Sequence, residues 1–394
     1  MAAPACADTR PDRLESLTGL RAIAALAVFI THCLIGLNFG HGEGAAYLGL
    51  SQLFSYAAVS LFFVLSGFVL TWSVQPSDSA TRFWRRRYVR VFPNHVLVLG
   101  LTLLFMVFWG ANSSLPSLTE EIGLGPALAQ VFLVHVWYPS SAYLGFASAI
   151  TWSLACEVFF YFCFPLLHRI VSRIPARRLW LTAVAVFAAG LSFVAFADNF
   201  LGGQNITESD AALSLSLEQL WLTYFFPLSR LPEFILGMLM ARLLREGRLT
   251  GLRLRHTAWL PLLPILACPF LPPTYAFGAI HGLSCALLVA AAAATDLRGD
   301  RSVLRGRAMV YLGDRSFAFY TVHLLTIAVL LEFVVGTPPT VDTGEGLLIS
   351  VGLFLPCAAL AAWLLHRYVE VPLVRRFSAP VQQVGRERVP FPAL

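Results

Sequence analysis

The chain has 394 residues, of which 57% are hydrophobic and 13% charged, with a formal net charge of +6. A soluble domain carries about a quarter charged residues, so this composition excludes an ordinary soluble globule and points to an all-α polytopic membrane protein. Every basic residue is arginine, and the loop arginines follow membrane topology, which removes a nucleic-acid reading of the net charge.

The polar segment before Leu14 holds no short apolar core with its own cleavage site, so no removable signal peptide is expected. Ten apolar runs of spanning length follow. They are Leu20 to Leu37, Ser51 to Trp72, Val91 to Gly110, Ile150 to Leu167, Leu179 to Ala197, Gln219 to Ala241, Thr257 to Leu271, Tyr275 to Thr295, Met309 to Val334 and Leu347 to Leu365. The seventh is short and rich in proline.

Loop arginines fall in alternate connections: Arg10 and Arg13, Arg82 to Arg90, Arg169 to Arg178, Arg242 to Arg255, Arg298 to Arg307, and Arg367 to Arg388. The remaining connections hold Glu43, Glu120, Glu121, Asp198, Glu208, Asp210, Asp342 and Glu345. The positive-inside rule therefore predicts both termini in the cytoplasm, in agreement with ten spans.

In the first span, Arg21 and His32 are eleven residues apart. Eleven steps of 100° bring them to one helix face, about 16 Å apart along the axis. An ionisable side chain in lipid costs about 2.5 to 3.5 kcal/mol, so the pair is a functional candidate. The alternative is an interfacial arginine and a histidine bonded to a neighbouring helix.

At the mouth of the third span stands Phe83-Trp84-Arg85-Arg86-Arg87-Tyr88-Val89-Arg90-Val91-Phe92-Pro93. Arg86, Arg87 and Arg90 are spaced so that two or three guanidiniums reach one ligand, and guanidinium grips phosphate oxygens in pairs. Positive-inside topology alone also places arginine here.

Between the third and fourth spans, Pro126 to Trp137 is apolar but too short to cross. It is expected as a re-entrant or interfacial half-helix, and the stretch through Ser148 as the roof of a cavity; a surface amphipathic turn is the other option.

The seven cysteines lie mostly in apolar spans without a Cys-x-x-Cys pair and read as small core residues. No Walker-type loop, His-Glu-x-x-His pair or Gly-x-Ser-x-Gly elbow occurs. Asn205-Ile206-Thr207 fits a glycosylation acceptor, a pattern too common to weigh.

Six strings in order then carry a family resemblance. They are Leu17-Thr18-Gly19-Leu20-Arg21-Ala22 with His32; Leu61-Phe62-Phe63-Val64-Leu65-Ser66-Gly67-Phe68; Arg86-Arg87-Tyr88-Val89-Arg90-Val91-Phe92-Pro93; Trp152-Ser153-Leu154-Ala155-Cys156-Glu157 with Phe160-Tyr161; Glu233-Phe234 with Gly237-Met238; and Gly313 with Ser316, Tyr320 and His323. Together they resemble the acyltransferase type 3 family of membrane O-acyltransferases, over nearly the full length. The close, Glu370-Val371-Pro372 with Arg375-Arg376, is similar too.

The resemblance implies transfer of an acyl group, commonly acetyl, from acyl coenzyme A (acyl-CoA) to a hydroxyl, usually on a sugar. His32 matches the family's general base, and an unperturbed imidazole pKa near 6.5 suits that task. Arg87 and Arg90 match its paired arginines, as contacts for the donor's phosphates, with Arg86 beside them. Arg21 would hold the phosphate or pantetheine end. Glu157 is expected to orient His32, as the acid of a triad does. Trp152, Ser153, Tyr320 and His323 are expected around the acceptor or the cavity. Interhelical packing bonds are the alternative for Glu157 and His323, and Ser66-Gly67 reads as a close helix contact.

No metal and no bound cofactor are implied, acyl-CoA being a co-substrate. The expected partners are acyl-CoA, a sugar, glycan or macrolide hydroxyl, and the bilayer, in a bacterial inner membrane. Thr18, Val158 and Val371 depart from residues common in the family, the last in place of Arg in Glu-Arg-Pro. Residues 1–13 are read as a cytoplasmic tail, 14–376 as the catalytic membrane domain and 377–394 as a second tail. A stand-alone form without an SGNH-type hydrolase domain is expected. The opening Ser16 to Arg21 is similar to the macrolide-modifying branch. A transporter or flippase is the alternative class, but its usual internal repeat is not found.

Overall fold

The computed structural model describes residues 13–39, 44–74, 78–109, 123–145, 147, 150–202, 215–336 and 343–378. Cys6, Arg10, most of both polar tails, Asn205-Ile206-Thr207, Ser148 and the acids Glu43, Glu120, Glu121, Glu208, Asp210 and Asp342 lie outside them. The protein is an all-α polytopic bundle, with no strand among the described residues.

The helices that build the site are α1 Glu15–Gly36, α2 Gly44–Ser73, α3 Ala80–Trp109, α4 Leu124–Val131, α5 Thr151–Arg173, α6 Leu179–Phe200, α7 Pro227–Arg245, α8 Ala279–Leu297, α9 Arg307–Leu330 and α10 Leu355–Leu365. Among the described residues eight helices are long and apolar enough to cross a membrane, and they coincide with eight of the ten expected runs. The other two depart for visible reasons. The sixth run breaks at Phe226, where Pro227 starts α7 as its first residue, and α7 buries Arg230 and Glu233. The seventh is broken at Pro261, which precedes the short helix Leu262–Ala267, and at Pro269 in the 3-10 turn that follows it, because proline removes ladder hydrogen bonds.

Two close helix contacts set the frame. α1 and α9 run parallel, from Thr18 against Gly313 to His32 against His323. A Cβ on Gly313 would lie 2.0 Å from the Thr18 carbonyl oxygen. α2 and α7 also run parallel, from Ser60 at Arg230 to Trp72 at Arg245. Here the backbones touch, since a Cβ on Gly67 would lie 1.9 Å from the Phe234 oxygen and one on Gly237 2.0 Å from the Val64 oxygen. Small residues permit such approach, the main source of helix association in lipid.

The arginine-bearing ends gather at one end of the bundle. Arg242 donates to the Val171 carbonyl at 2.8 Å and Arg245 to the Trp72 carbonyl at 2.6 Å. Arg13 pairs with Asp314 at 2.6 Å, and Arg298 with Asp300 at 2.8 Å. At the same end Asp296 of α8 caps α1, accepting from the Ser16 backbone N–H at 2.8 Å and its hydroxyl at 2.6 Å. A carboxylate on the first turn satisfies orphan donors and suits the helix dipole, which fixes where α1 begins and hence where Arg21 lies.

The short segment after α3 tucks into the opposite end. α4 turns at Leu133, whose φ is +57°, into a 3-10 turn over His135–Trp137. Its backbone is tied down by protein: the His95 ring bonds the Gln130 carbonyl at 2.9 Å, and Trp221 Nε1 donates to the Val136 carbonyl at 2.8 Å. Gln130 also donates to the Thr151 hydroxyl at 2.6 Å. Protein thus satisfies much of the irregular backbone of this segment, while Gln130, His135 and Val136 are buried and the apolar side chains of Leu124, Leu128, Phe132 and Val134 stay exposed.

Candidate functional site

A cavity opens between α1, α2, α3, α5 and α9, with about 900 Å³ of empty volume including solvent at its mouth. Its polar wall consists of Arg21 from α1, Arg87 and Arg90 from α3, and Glu157 and Tyr161 from α5. The apolar wall includes Val59, Phe62, Phe63 and Phe317, and Ser66, Ser153 and Tyr320 also face it. Three guanidiniums against one carboxylate leave an excess of positive charge in a cleft with apolar walls. Arg87 Nε is buried without a hydrogen-bond partner in the protein. Such a cleft accepts an anion, and guanidinium favours phosphate.

Glu157 is held from two sides, by the Ser66 hydroxyl at 2.5 Å and by the Tyr161 hydroxyl from the turn below. Trp84 Nε1 donates to the Tyr161 carbonyl at 3.0 Å, clamping α3 to α5 next to the arginines. Arg86 is turned elsewhere: it makes a two-pronged pair with Asp78, at 2.9 and 2.8 Å, and is not among the cavity residues. Trp152 also leaves the cavity. Its indole is one wall of an aromatic cage around Arg230, whose guanidinium carbon lies 5.8 Å from Trp152, 5.2 Å from Phe63 and 5.5 Å from Tyr224.

His32 and His323 meet farther along α1 and α9. Their rings are 5.1 Å apart at the centroids, and His323 Nε2 lies 3.3 Å from His32 Nδ1. Backbone carbonyls decide the tautomers, because they only accept. His323 Nδ1 lies 2.7 Å from the Tyr320 carbonyl and so carries its proton there, leaving a lone pair on Nε2. His32 Nδ1 lies 2.9 Å from the Val28 carbonyl, so it too is the protonated nitrogen, shared between that carbonyl and His323. The lone pair of neutral His32 is therefore on Nε2. Glu157 bonds Ser66 and Tyr161, and the ring that positions His32 is His323, not the carboxylate expected for that place.

Tyr320 joins the two halves. It lines the cavity, its ring is 5.8 Å from that of His323, and its hydroxyl shares the Ile150 carbonyl with Ser153, 2.7 Å away. The order along the axis is thus guanidiniums, then Glu157, then the Ser153 and Tyr320 hydroxyls, then the histidine pair.

Three features escaped the sequence reading. Ser66 looked like a packing residue beside Gly67, but its hydroxyl bonds Glu157. Arg230 is fully buried and paired with Glu233 at 3.1 Å, a partnership hinted at by their spacing of three. Glu370 of the closing motif is buried near Asn94, at 3.4 Å, and bonds His366 at 3.1 Å, which ties the end of the chain to α3 one turn beyond Arg90. That tie uses Glu370 and not its neighbour, so Val371 in place of Arg does not disturb it.

An acyltransferase domain family matches residues 14–367 of this layout. The chain belongs to the acyltransferase type 3 family. Among its relatives, Acyltransferase MdmB of Streptomyces mycarofaciens is 37% identical over 92% of each chain. Peptidoglycan O-acetyltransferase OatA of Listeria monocytogenes is 30% identical over 39% of this chain and 24% of its own. Nodulation protein 10 of Rhizobium leguminosarum bv. viciae is 31% identical over 43% of this chain and 48% of its own. No solved structure matches. Family membership makes this an acyltransferase, with eight helices able to cross a membrane among the described residues, and favours transfer chemistry over transport.

Proposed function

We propose that this acyltransferase moves an acetyl or short-chain acyl group from acyl-CoA to a hydroxyl of a sugar, glycan or macrolide, at a bacterial inner membrane. The observation that carries the donor is the excess of guanidinium over carboxylate in the cleft, with the Arg87 Nε donor left over. Phosphates of a nucleotide thioester supply that charge, and the arginine-bearing end is the cytoplasmic one, with both termini on that side. The catalytic domain spans 14–376 between two cytoplasmic tails. A relative named as an O-acetyltransferase supports a hydroxyl acceptor.

The reaction follows from the tautomers. His32 Nε2 takes the proton of the acceptor hydroxyl as its oxygen attacks the thioester carbonyl carbon. His32 is then a cation, and His323 Nε2 offers its lone pair to the His32 Nδ1 proton. The tetrahedral intermediate collapses, the carbon–sulfur bond breaks, and the thiolate takes the proton from His32 Nε2. An ester and free CoA result, with both rings restored. Arg21, Arg87 and Arg90 hold the donor, while Ser153 and Tyr320 line the cavity where the acyl group must pass. Glu157 lies at the donor end, with Ser66 and Tyr161 fixing its orientation.

The test follows thiol release from acetyl-, propionyl- and isovaleryl-CoA by wild-type and His32→Ala protein in nanodiscs, with glycosylated macrolides and methyl glycosides as acceptors. Acceptor-dependent release that is lost in His32→Ala is the expected result. Absence of acyl-CoA binding and cleavage in folded wild-type protein would overturn the donor assignment and return a transporter to consideration.

A further inference from the structure

A second, smaller cavity lies directly behind Tyr320. It is lined by His95, Val98 and Leu99 of α3, by Ile150, Thr151 and Leu154 around the start of α5, and by Tyr320 and Thr321 of α9. Tyr320 and Leu154 line the donor cleft as well, so these two side chains form the partition between the cavities.

The lining is apolar in effect. His95 Nε2 is bonded to the Gln130 carbonyl at 2.9 Å, Thr151 accepts from Gln130 at 2.6 Å, and the Thr321 hydroxyl turns back to its own helix at 2.9 Å. What remains facing the space is hydrocarbon. Within its empty volume of about 300 Å³ there is room for roughly one water-sized group. A space of that size and polarity suits a methyl group better than water, which needs two to four polar partners.

We infer that this cavity is the acyl-chain subsite of the donor, and that the Leu154–Tyr320 partition, with Val98 and Thr321 behind it, sets the length of acyl group accepted. This deepens the acyl-CoA reading and rests on it. The position is chemically sensible: Tyr320 contacts the His323 ring on one side and the donor cleft on the other. A thioester carbonyl beside Tyr320 would have its pantetheine arm in the cleft, its alkyl group behind the partition and the histidine pair at hand. The dimensions favour acetyl over longer or branched chains.

The experiment compares binding of CoA and of acetyl-, propionyl-, butyryl- and isovaleryl-CoA to full-length protein in nanodiscs by calorimetry. Val98→Ala widens the cavity from α3, and Thr321→Leu fills it from α9. Burying one methylene contributes roughly fourfold in affinity. Val98→Ala is therefore expected to lower the butyryl to acetyl ratio of Kd by roughly fourfold or more, and Thr321→Leu to raise the propionyl to acetyl ratio by a similar factor. Free CoA should bind both variants as it binds wild type. A merely structural change moves every ligand together, so a shift in ratios is diagnostic, and either variant suffices if the other does not fold. Unchanged ratios with intact CoA binding would overturn the subsite alone. If folded wild-type protein binds neither CoA nor its thioesters, the donor reading fails and the subsite falls with it.

Discussion

His323 Nε2 lies 3.3 Å from His32 Nδ1, while the other nitrogen of His323 is pinned to the Tyr320 carbonyl at 2.7 Å. The second histidine therefore takes the place that a carboxylate holds in a Ser-His-Asp triad: it offers a lone pair to the N–H of the base, whose tautomer the Val28 carbonyl already fixes. A neutral ring does this without placing a negative charge in a low-dielectric setting, where an isolated carboxylate is costly.

The first prediction concerns this pair. His32→Ala should lower kcat by about 10²- to 10⁴-fold, the usual span for loss of a general base. His323→Ala should lower kcat by a smaller factor, because His32 keeps its bond to the Val28 carbonyl. Neither change should move the affinity for CoA, because neither ring lines the guanidinium cleft. Single-turnover kinetics together with CoA binding separate the two effects, and loss of CoA binding in His32→Ala would count against this division of labour.

The second prediction separates three arginines that look equivalent in the sequence. Arg87→Ala and Arg90→Ala should each weaken donor binding by roughly tenfold or more, the loss of a charge-assisted hydrogen bond being about 1.5 to 3 kcal/mol. Arg86→Ala should leave donor affinity near wild type, because Arg86 is committed to Asp78. Donor KM for the three variants in the same nanodiscs decides the matter. A rise for Arg86→Ala as large as for Arg87→Ala would contradict the assignment.

How much of this was legible in the sequence follows a physical divide. Element type and the gathering of Arg21, Arg87 and Arg90 were readable, because long apolar runs, arginine-bearing loops and a recognisable motif order survive in one dimension, whereas Glu157 was expected beside His32 and stands with the arginines instead. Partnerships across helices were not. Nothing local to His32 says that its neighbour is His323, nothing around Arg86 says that it turns back to Asp78, and Ser66 carries no mark that distinguishes a ligand of Glu157 from a packing residue. The seventh run misled for another reason: hydropathy takes no account of the ladder hydrogen bonds that proline removes, and the helix breaks at Pro261 and again at Pro269.

The third prediction tests the helix contacts. Gly67→Ala and Gly237→Ala each place a methyl group within about 2 Å of a backbone oxygen, which must move a whole helix to be relieved. Overpacking of this kind costs about 1 to 3 kcal/mol or more, so both variants should unfold at lower temperature. Gly100 on α3 has nothing within 4 Å of an added Cβ, and Gly100→Ala should be neutral or slightly stabilising. Thermal unfolding in detergent gives the ranking, which helix propensity alone would reverse for the first two.

The last prediction concerns Arg230 and Glu233, buried at 0% and 1% exposure and paired at 3.1 Å. The guanidinium is enclosed by three aromatic rings and approached by Ser60 at 3.3 Å. Gly278, at φ +58°, leaves the remaining space, since a Cβ there would lie 2.2 Å from a guanidinium nitrogen. Removing one member of a buried pair leaves an uncompensated charge and costs about 3 to 5 kcal/mol, whereas replacing both by apolar groups is often neutral. Glu233→Gln should therefore destabilise the fold strongly, and Arg230→Met combined with Glu233→Leu should recover much of the loss. Because Trp152 is one wall of the cage and Ser153 follows it on α5, Glu233→Gln should also impair transfer in protein that remains folded. Unfolding temperatures and turnover for the single and double variants check both statements. A Glu233→Gln variant as stable as wild type would mean that Arg230 is satisfied by the aromatic faces and Ser60 without its carboxylate.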